Sequence, residues 1–97
     1  MRQAARMQRK IEQAKTDAKD KELTATAVGD KVKVTVTYGR KVSRIEIDPE
    51  FLASEGIDMA MDGVCAALNT AIEQADKAME AEVEKITGGV KLPGLTG

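Results

Sequence analysis

Histidine and tryptophan are missing from all 97 residues, and Tyr38 and Phe51 are the only aromatics. The first absence removes the commonest general base and the imidazole metal ligand, and with them the usual catalytic triads. The scarcity of aromatics leaves an interior of Ala, Val, Ile, Leu and Met, light per side chain, and gives single-stranded nucleic acid no platform on which to stack. One cysteine, Cys65, excludes an internal disulfide framework and fits a reducing compartment. Lying beside an apolar helical seam, it is expected to pack as a small hydrophobe. No apolar run nears the ~18 residues of a membrane span, and the first twenty residues are too charged for the apolar core of a signal peptide. A cytosolic protein with no membrane partner is expected.

Neither a P-loop pattern nor GxGxxG occurs. Glu46, Asp48 and Glu50 alternate in IEIDPE as hard-metal ligands can. Glu46, however, is expected to meet Lys33 across a pair of strands, and Asp48 to cap a helix. No metal, cofactor, small-molecule substrate or enzymatic activity is therefore expected.

What the chain does have is a lopsided charge. The net value is −1, yet residues 1–22 hold seven bases against four acids, residues 23–49 five against three, and residues 50–97 only three against nine. One end attracts anions and the other repels them.

Residues 1–21 read as a helix, because Ala4, Met7, Ile11, Ala14 and Ala18 recur at alternating spacings of three and four. Three alanines in five make a thin seam, with Met7 and Ile11 its main packing residues. Such a helix needs a partner surface. From Lys21 the period changes to two. Strands are expected over 22–28, 31–38 and 42–48, with Gly29-Asp30 and Gly39-Arg40 as two-residue hairpin turns. The first turn sets Ala27 opposite Val32, Ala25 opposite Val34 and Leu23 opposite Val36. The second sets Val36 opposite Ser43, Val34 opposite Ile45 and Val32 opposite Ile47. Both turns put the apolar residues on one face, and the other face carries Thr24 against Thr35 and Lys33 against Glu46.

Asp48-Pro49 reads as a cap followed by proline in the first position of a short helical turn. Asp58 is expected to cap a long helix over 58–87, whose apolar positions are Met61, Val64, Leu68, Ile72, Ala75, Met79, Val83 and Ile86. At ~1.5 Å per residue it is about 45 Å long, whereas a seven-residue strand spans about 23 Å. The sheet covers only half of that stripe. Met79, Val83 and Ile86 are left for the first helix, a second protomer, or both, which predicts a homodimer. The fold class expected is α+β, a three-stranded antiparallel meander on a long C-terminal helix with a protruding N-terminal helix, in one domain over 1–89 with a loose tail over 90–97.

The opening stretch, MRQAARMQRK, holds Arg2, Arg6, Arg9 and Lys10 without a carboxylate among them. Arg2–Arg6 and Arg6–Lys10 are like-charged pairs at i,i+4, and they sit where the helix dipole disfavours cations. Arg2, Arg6 and Arg9 lie on the side away from the seam. Two readings fit: a solvated surface, or a display of guanidinium groups for the phosphates of a polyanion.

Three stretches taken together resemble a known family. MRQAARMQRKIEQAK, VKVTVTYGRKVSRIEIDPEFL and ITGGVKLPGL are similar to the YbaB/EbfC nucleoid-associated proteins of bacteria. The resemblance implies a homodimeric α-β-β-β-α protein of tweezer-like shape in the cytoplasm, at the nucleoid, that binds double-stranded DNA with little sequence preference. It also implies DNA contacts from the N-terminal helix, here Arg2, Arg6, Arg9 and Lys10, with Lys15 further along. The C-terminal helical region, implicated in the family as well, is acidic here at Glu80, Glu82 and Glu84. A different class remains open: a protein-interaction module whose exposed helices dock a partner protein.

Overall fold

The computed structural model describes residues 2–88, with side chains from Gln3 onward. The elements run α1 (Arg2–Ala18), β1 (Glu22–Ala27), β2 (Val32–Thr37), β3 (Val42–Ile47), α2 (Pro49–Glu55) and α3 (Ile57–Thr87). The expected tail over 90–97 lies outside the described residues.

The three strands form one antiparallel sheet in the order β1-β2-β3. Between β1 and β2 the register is the one read from the sequence, with Ala27 opposite Val32, Ala25 opposite Val34 and Leu23 opposite Val36. The turn is longer than the two residues expected: Val28, Gly29 and Asp30 all have positive φ, β1 ends at Ala27 and β2 starts at Val32, and the Lys31 amide donates to the Val28 carbonyl at 3.1 Å. On the polar face the Thr24 and Thr35 hydroxyls are 2.8 Å apart.

The second hairpin departs from expectation. Val32 opposes Ile47 and Val34 opposes Ile45, but a bulge between Thr35 and Val36 sets Val36 opposite Val42 rather than Ser43. The turn is Tyr38-Gly39-Arg40, closed by the Arg40 amide on the Thr37 carbonyl at 2.9 Å. Arg40, not Gly39, takes the positive φ of 69°. Glycine is needed at 39 for a different reason, since a Cβ there would sit 3.1 Å from the Lys19 carbonyl oxygen and 3.3 Å from Lys19 Cβ. The Gly39 amide donates to the Lys19 carbonyl at 3.0 Å and the Tyr38 amide to the Lys21 carbonyl at 2.8 Å. Those two bonds also explain why α1 stops at Ala18 instead of residue 21: the chain beyond it is drawn onto the β2–β3 turn.

Two expected pairings change as well. Lys33 does face Glu46 in register, but Glu46 bonds Arg44, two residues along its own strand and on the same face, at 3.2 Å. Asp48 caps α2 through the Glu50 amide at 2.9 Å, with Pro49 in the first turn. Asp58 does not cap α3: the N-cap is Gly56, which has no side chain to bond with, and Asp58 lies inside the first turn.

The core explains how α3 is used. Val32, Val34 and Val36 are fully buried against Ala67, Ala71 and Ala75, with Val64 beside them. Each valine contributes roughly 1.5–3 kcal/mol of apolar burial. The face of α3 on the sheet is therefore its small-residue face. Gly63 shows the reason, because a Cβ there would meet Val32 Cγ2 at 2.9 Å; the helix backbone rides close to β2. The large residues form a second stripe. Leu68 packs at the margin of the core, Met79, Val83 and Ile86 are half-buried, and Met61 is 44% exposed. Cys65 is exposed, not packed, since it falls on the side of α3 turned from the sheet.

α1 packs along α3, whereas β1 and β2 pack on the α3 face that ends at Ala75. Some 61 Å long and 20 × 16 Å across, the molecule has a sheet end and a helical arm.

Candidate nucleic-acid interface

At ~100° per residue, Ile11 and Ala18 share one face of α1, and both are fully buried. Met7 and Ala14, adjoining them, are half-buried. Arg6 and Arg9 fall on the opposite face, while Lys10 and Lys15 border the buried seam on its two sides, and all four are exposed. The first turn of α1 contains no acidic residue. Arg2 begins this helix, but its side chain lies outside the described residues. Packing of a narrow seam thus determines which way the cations face: burying Ile11 turns Arg6 and Arg9 outward.

Five of the other described cations have carboxylate partners, whereas Lys19, Lys33, Lys41 and Lys77 are exposed without one. Lys21 bonds Glu82 at 3.0 Å, Lys31 bonds Asp48 at 3.2 Å, Arg40 bonds Asp76 at 3.3 Å, Arg44 bonds Glu46 at 3.2 Å and Lys85 bonds Glu82 at 3.3 Å. Among the described residues no ion pair involves Arg6, Arg9, Lys10 or Lys15. Asp17, the carboxylate nearest the end of α1, instead accepts from the Gln13 amide at 2.8 Å. Guanidinium and ammonium groups held outward by a rigid helix, without carboxylates to satisfy them, suit phosphate oxygens.

Charge on α3 is arranged the other way. Hydrogen bonds from Lys21 and then Lys85 hold the Glu82 carboxyl below its usual range, and Asp76 is engaged by Arg40. Glu73, Glu80 and Glu84 stay exposed. An acidic surface of this kind repels phosphate, whereas the exposed side of α1 carries cations. Asp48, at the sheet end, is also held low, by the Glu50 amide first and Lys31 second.

The packing residues named from the sequence lie in the arm of one chain: Ile11 buried, and Met7, Met79, Val83 and Ile86 half-buried. Sequence reasoning missed the apolar surface at the sheet end. Val42 and Ile45 on β3 are 47% and 48% exposed, and Ile57 and Met59 in the first turn of α3 are 59% and 51% exposed. It also missed the clasp formed by Lys21–Glu82 and Arg40–Asp76, whose members are 61 and 36 residues apart in the chain; no local pattern announces such pairs.

Comparison with known proteins adds the following. The model of the YbaB/EbfC DNA-binding family matches residues 1–90. A nucleoid-associated protein of Acinetobacter baumannii is 43% identical over 102 residues, covering 100% of this chain and 93% of that protein. Another, from Acetivibrio thermocellus, is 38% identical over 96 residues, covering 98% and 85%. In a crystal structure, an uncharacterized protein of Helicobacter pylori has the same fold, with a TM-score of 0.70 at 18% identity over 88% of this chain and 89% of that one.

Proposed function

This chain belongs to the YbaB/EbfC DNA-binding family, and from that membership we propose that it is a nucleoid-associated protein that binds double-stranded DNA as a homodimer. It is a binding protein, not an enzyme. Arg6, Arg9, Lys10 and Lys15 of α1 make the contacts, with Arg2 belonging to the same series by its place in the sequence. They engage phosphates, so one duplex is bound nearly as well as another. The protein works in the bacterial cytoplasm, at the nucleoid.

The observation that carries this reading is the sorting of cations. Near the sheet Lys21, Lys31, Arg40 and Arg44 are tied to carboxylates and Lys33 and Lys41 are not, whereas α1 gathers four exposed cations, Arg6, Arg9, Lys10 and Lys15, without an ion pair among the described residues. Homodimer formation draws support from the exposed Val42, Ile45, Ile57, Met59 and Met61 at the sheet end.

Two subunits present two basic helices. If each helix contributes about four phosphate contacts, the slope of log K against log salt is about −7, a loss of roughly ten-thousand-fold between 50 and 200 mM. Arg6→Ala with Arg9→Ala halves the contacts, and the same salt step then costs only about a hundred-fold. Binding of several unrelated duplexes, measured by fluorescence anisotropy across that range, tests both slope and specificity. An unchanged slope in a variant that keeps its helical circular dichroism would remove α1 from the mechanism.

A further inference from the structure

Cations also collect where the arm meets the sheet, on a surface that α1 shares with the β2–β3 turn. The Lys19 amide donates to the Lys15 carbonyl at 2.9 Å, so the helical spacing runs on to residue 19. The two side chains therefore leave one side of the helix a turn apart, and both are exposed. They repeat, at this end of α1, the like-charged i,i+4 spacing of Arg6 and Lys10.

The turn continues the row. The Gly39 amide donates to the Lys19 carbonyl at 3.0 Å, and a Cβ on residue 39 would be 3.3 Å from Lys19 Cβ. Arg40 and Lys41 follow at once in the chain, and both are exposed. The Tyr38 amide on the Lys21 carbonyl, at 2.8 Å, is a second main-chain bond between the turn and the chain just past α1. Cations of two elements are thereby fixed on one surface.

Two details bear on why the charge is there. Arg40 has a φ of 69°, in the left-handed region that glycine or asparagine fills at less cost, yet the position holds arginine. Arg40 meets Asp76 through Nε at 3.3 Å, and its side chain remains 62% exposed. An exposed pair of this kind is weak, and it leaves the terminal nitrogens of the guanidinium to fork onto phosphate. Lys19 and Lys41 have no ion pair among the described residues. The acids nearest in the chain are Asp20 and Glu22. Glu22 stands opposite Thr37, so β2 lies between it and Lys41.

We propose that the root of the arm is a further DNA-contacting surface: Lys19, Arg40 and Lys41 carry the phosphate contacts of α1 onto the β2–β3 turn. This rests on the DNA-binding reading above and extends the surface it uses. At ~1.5 Å per residue, Lys19 lies roughly 20 Å along the axis from Arg6. That exceeds the ~12 Å width of the major groove, so the two ends of the row reach phosphates on both sides of one groove. Contacts at both ends fix the direction in which the arm lies on the duplex, which contacts at the tip alone do not. With two subunits, three added contacts each steepen the salt slope beyond the −7 of α1 alone by about 5.

The test compares two pairs of exposed lysines, none of them in an ion pair among the described residues. Lys19→Gln with Lys41→Gln removes charge from the root of the arm. Lys33→Gln with Lys77→Gln removes as much from the polar face of the sheet and from α3. Anisotropy titrations of a labelled duplex over the same salt range read the slopes, and circular dichroism verifies the fold. Losing about four phosphate contacts per dimer, the first variant should flatten the slope of log K against log salt by about 3.6. Arg40→Gln alone should flatten it by about 1.8, and the second lysine pair should leave it as in the wild type. If the first pair keeps the wild-type slope while Arg6→Ala with Arg9→Ala lowers it, the root of the arm is not a contact and the α1 reading stands. If both lysine pairs flatten the slope equally, the effect is one of net charge and the proposal fails. A wild-type protein that binds no duplex overturns both readings.

Discussion

Gly63 allows the packing of α3 on the sheet to be tested by a change of sign. In an exposed helix interior, Gly→Ala stabilises by about 1 kcal/mol through propensity. Here the added Cβ would sit 2.9 Å from Val32 Cγ2 and 3.3 Å from Val28 Cγ2. Val32 is fully buried on the central strand between Ala27 and Ile47, and a β-branched side chain has little χ1 freedom with which to yield. Overpacking of this kind costs about 1–3 kcal/mol. The net expectation for Gly63→Ala is a loss of about 1 kcal/mol, which lowers Tm by roughly 4–8 °C for a domain of this size. Val32→Ala removes the nearer obstruction, and Val28, whose methyl remains at 3.3 Å, is 49% exposed and has room to yield. In that background the same substitution should raise stability by about 1 kcal/mol, giving a coupling near 2 kcal/mol in a double-mutant cycle. Thermal and urea unfolding at one fixed protomer concentration supply the four values. If Gly63→Ala raises Tm in the wild-type background, the close approach of α3 to β2 is not what requires glycine there.

Gly39→Ala brings a Cβ to 3.1 Å from the Lys19 oxygen, which also accepts the Gly39 amide. It should cost about 1–2 kcal/mol and speed amide exchange at residues 38 and 39, and undisturbed protection there would contradict this. Lys21 and Lys85 hold the Glu82 carboxyl below its usual 4.5. A depressed carboxylate stabilises the fold above its unfolded value, and that contribution fades as pH falls through the folded one. The urea midpoint of the wild type should accordingly drop more steeply below about pH 4.5 than that of Glu82→Gln; parallel profiles would mean that the clasp contributes nothing to the pH dependence.

Local chemistry was readable where both partners of a contact lie close in the chain. Alternation of Leu23, Ala25 and Ala27 with the valines of β2, together with Gly29-Asp30, is enough to fix the first hairpin. The second was misread because the requirement at Gly39 comes from Lys19 on another element, and a tertiary approach leaves no mark on the turn itself. Similarly, the periodicity on α3 named Val64, Leu68 and Ala75, which do pack at the sheet, but merged them with the large residues of a second stripe and passed over Ala67 and Ala71. Alanines 67, 71 and 75 carry that packing, and small residues are faint in any hydrophobic pattern. Met79, Val83 and Ile86 in the arm, beyond the reach of the sheet, were expected to be covered by the first helix, a second protomer, or both. Those residues are half-buried within one chain, where α1 packs along α3, and the more exposed large residues are at the sheet end. For the interface, the seam through Met7 and Ile11 was sufficient to say which way Arg6 and Arg9 face. The clasp at Glu82 and Asp76 was beyond reach.

The joint between α1 and the hairpin is made by the carbonyls of Lys19 and Lys21 and the amides of Tyr38 and Gly39. Main-chain groups are common to every amino acid except for the missing amide of proline. These two bonds are consequently indifferent to the side chains of residues 19 and 21, to which Lys21 adds its separate ion pair with Glu82, and they ask of 38 only that it not be proline; position 39 alone demands one side-chain size. Mutational drift can repaint the exterior around this joint while the angle at which the arm leaves the body is inherited unchanged.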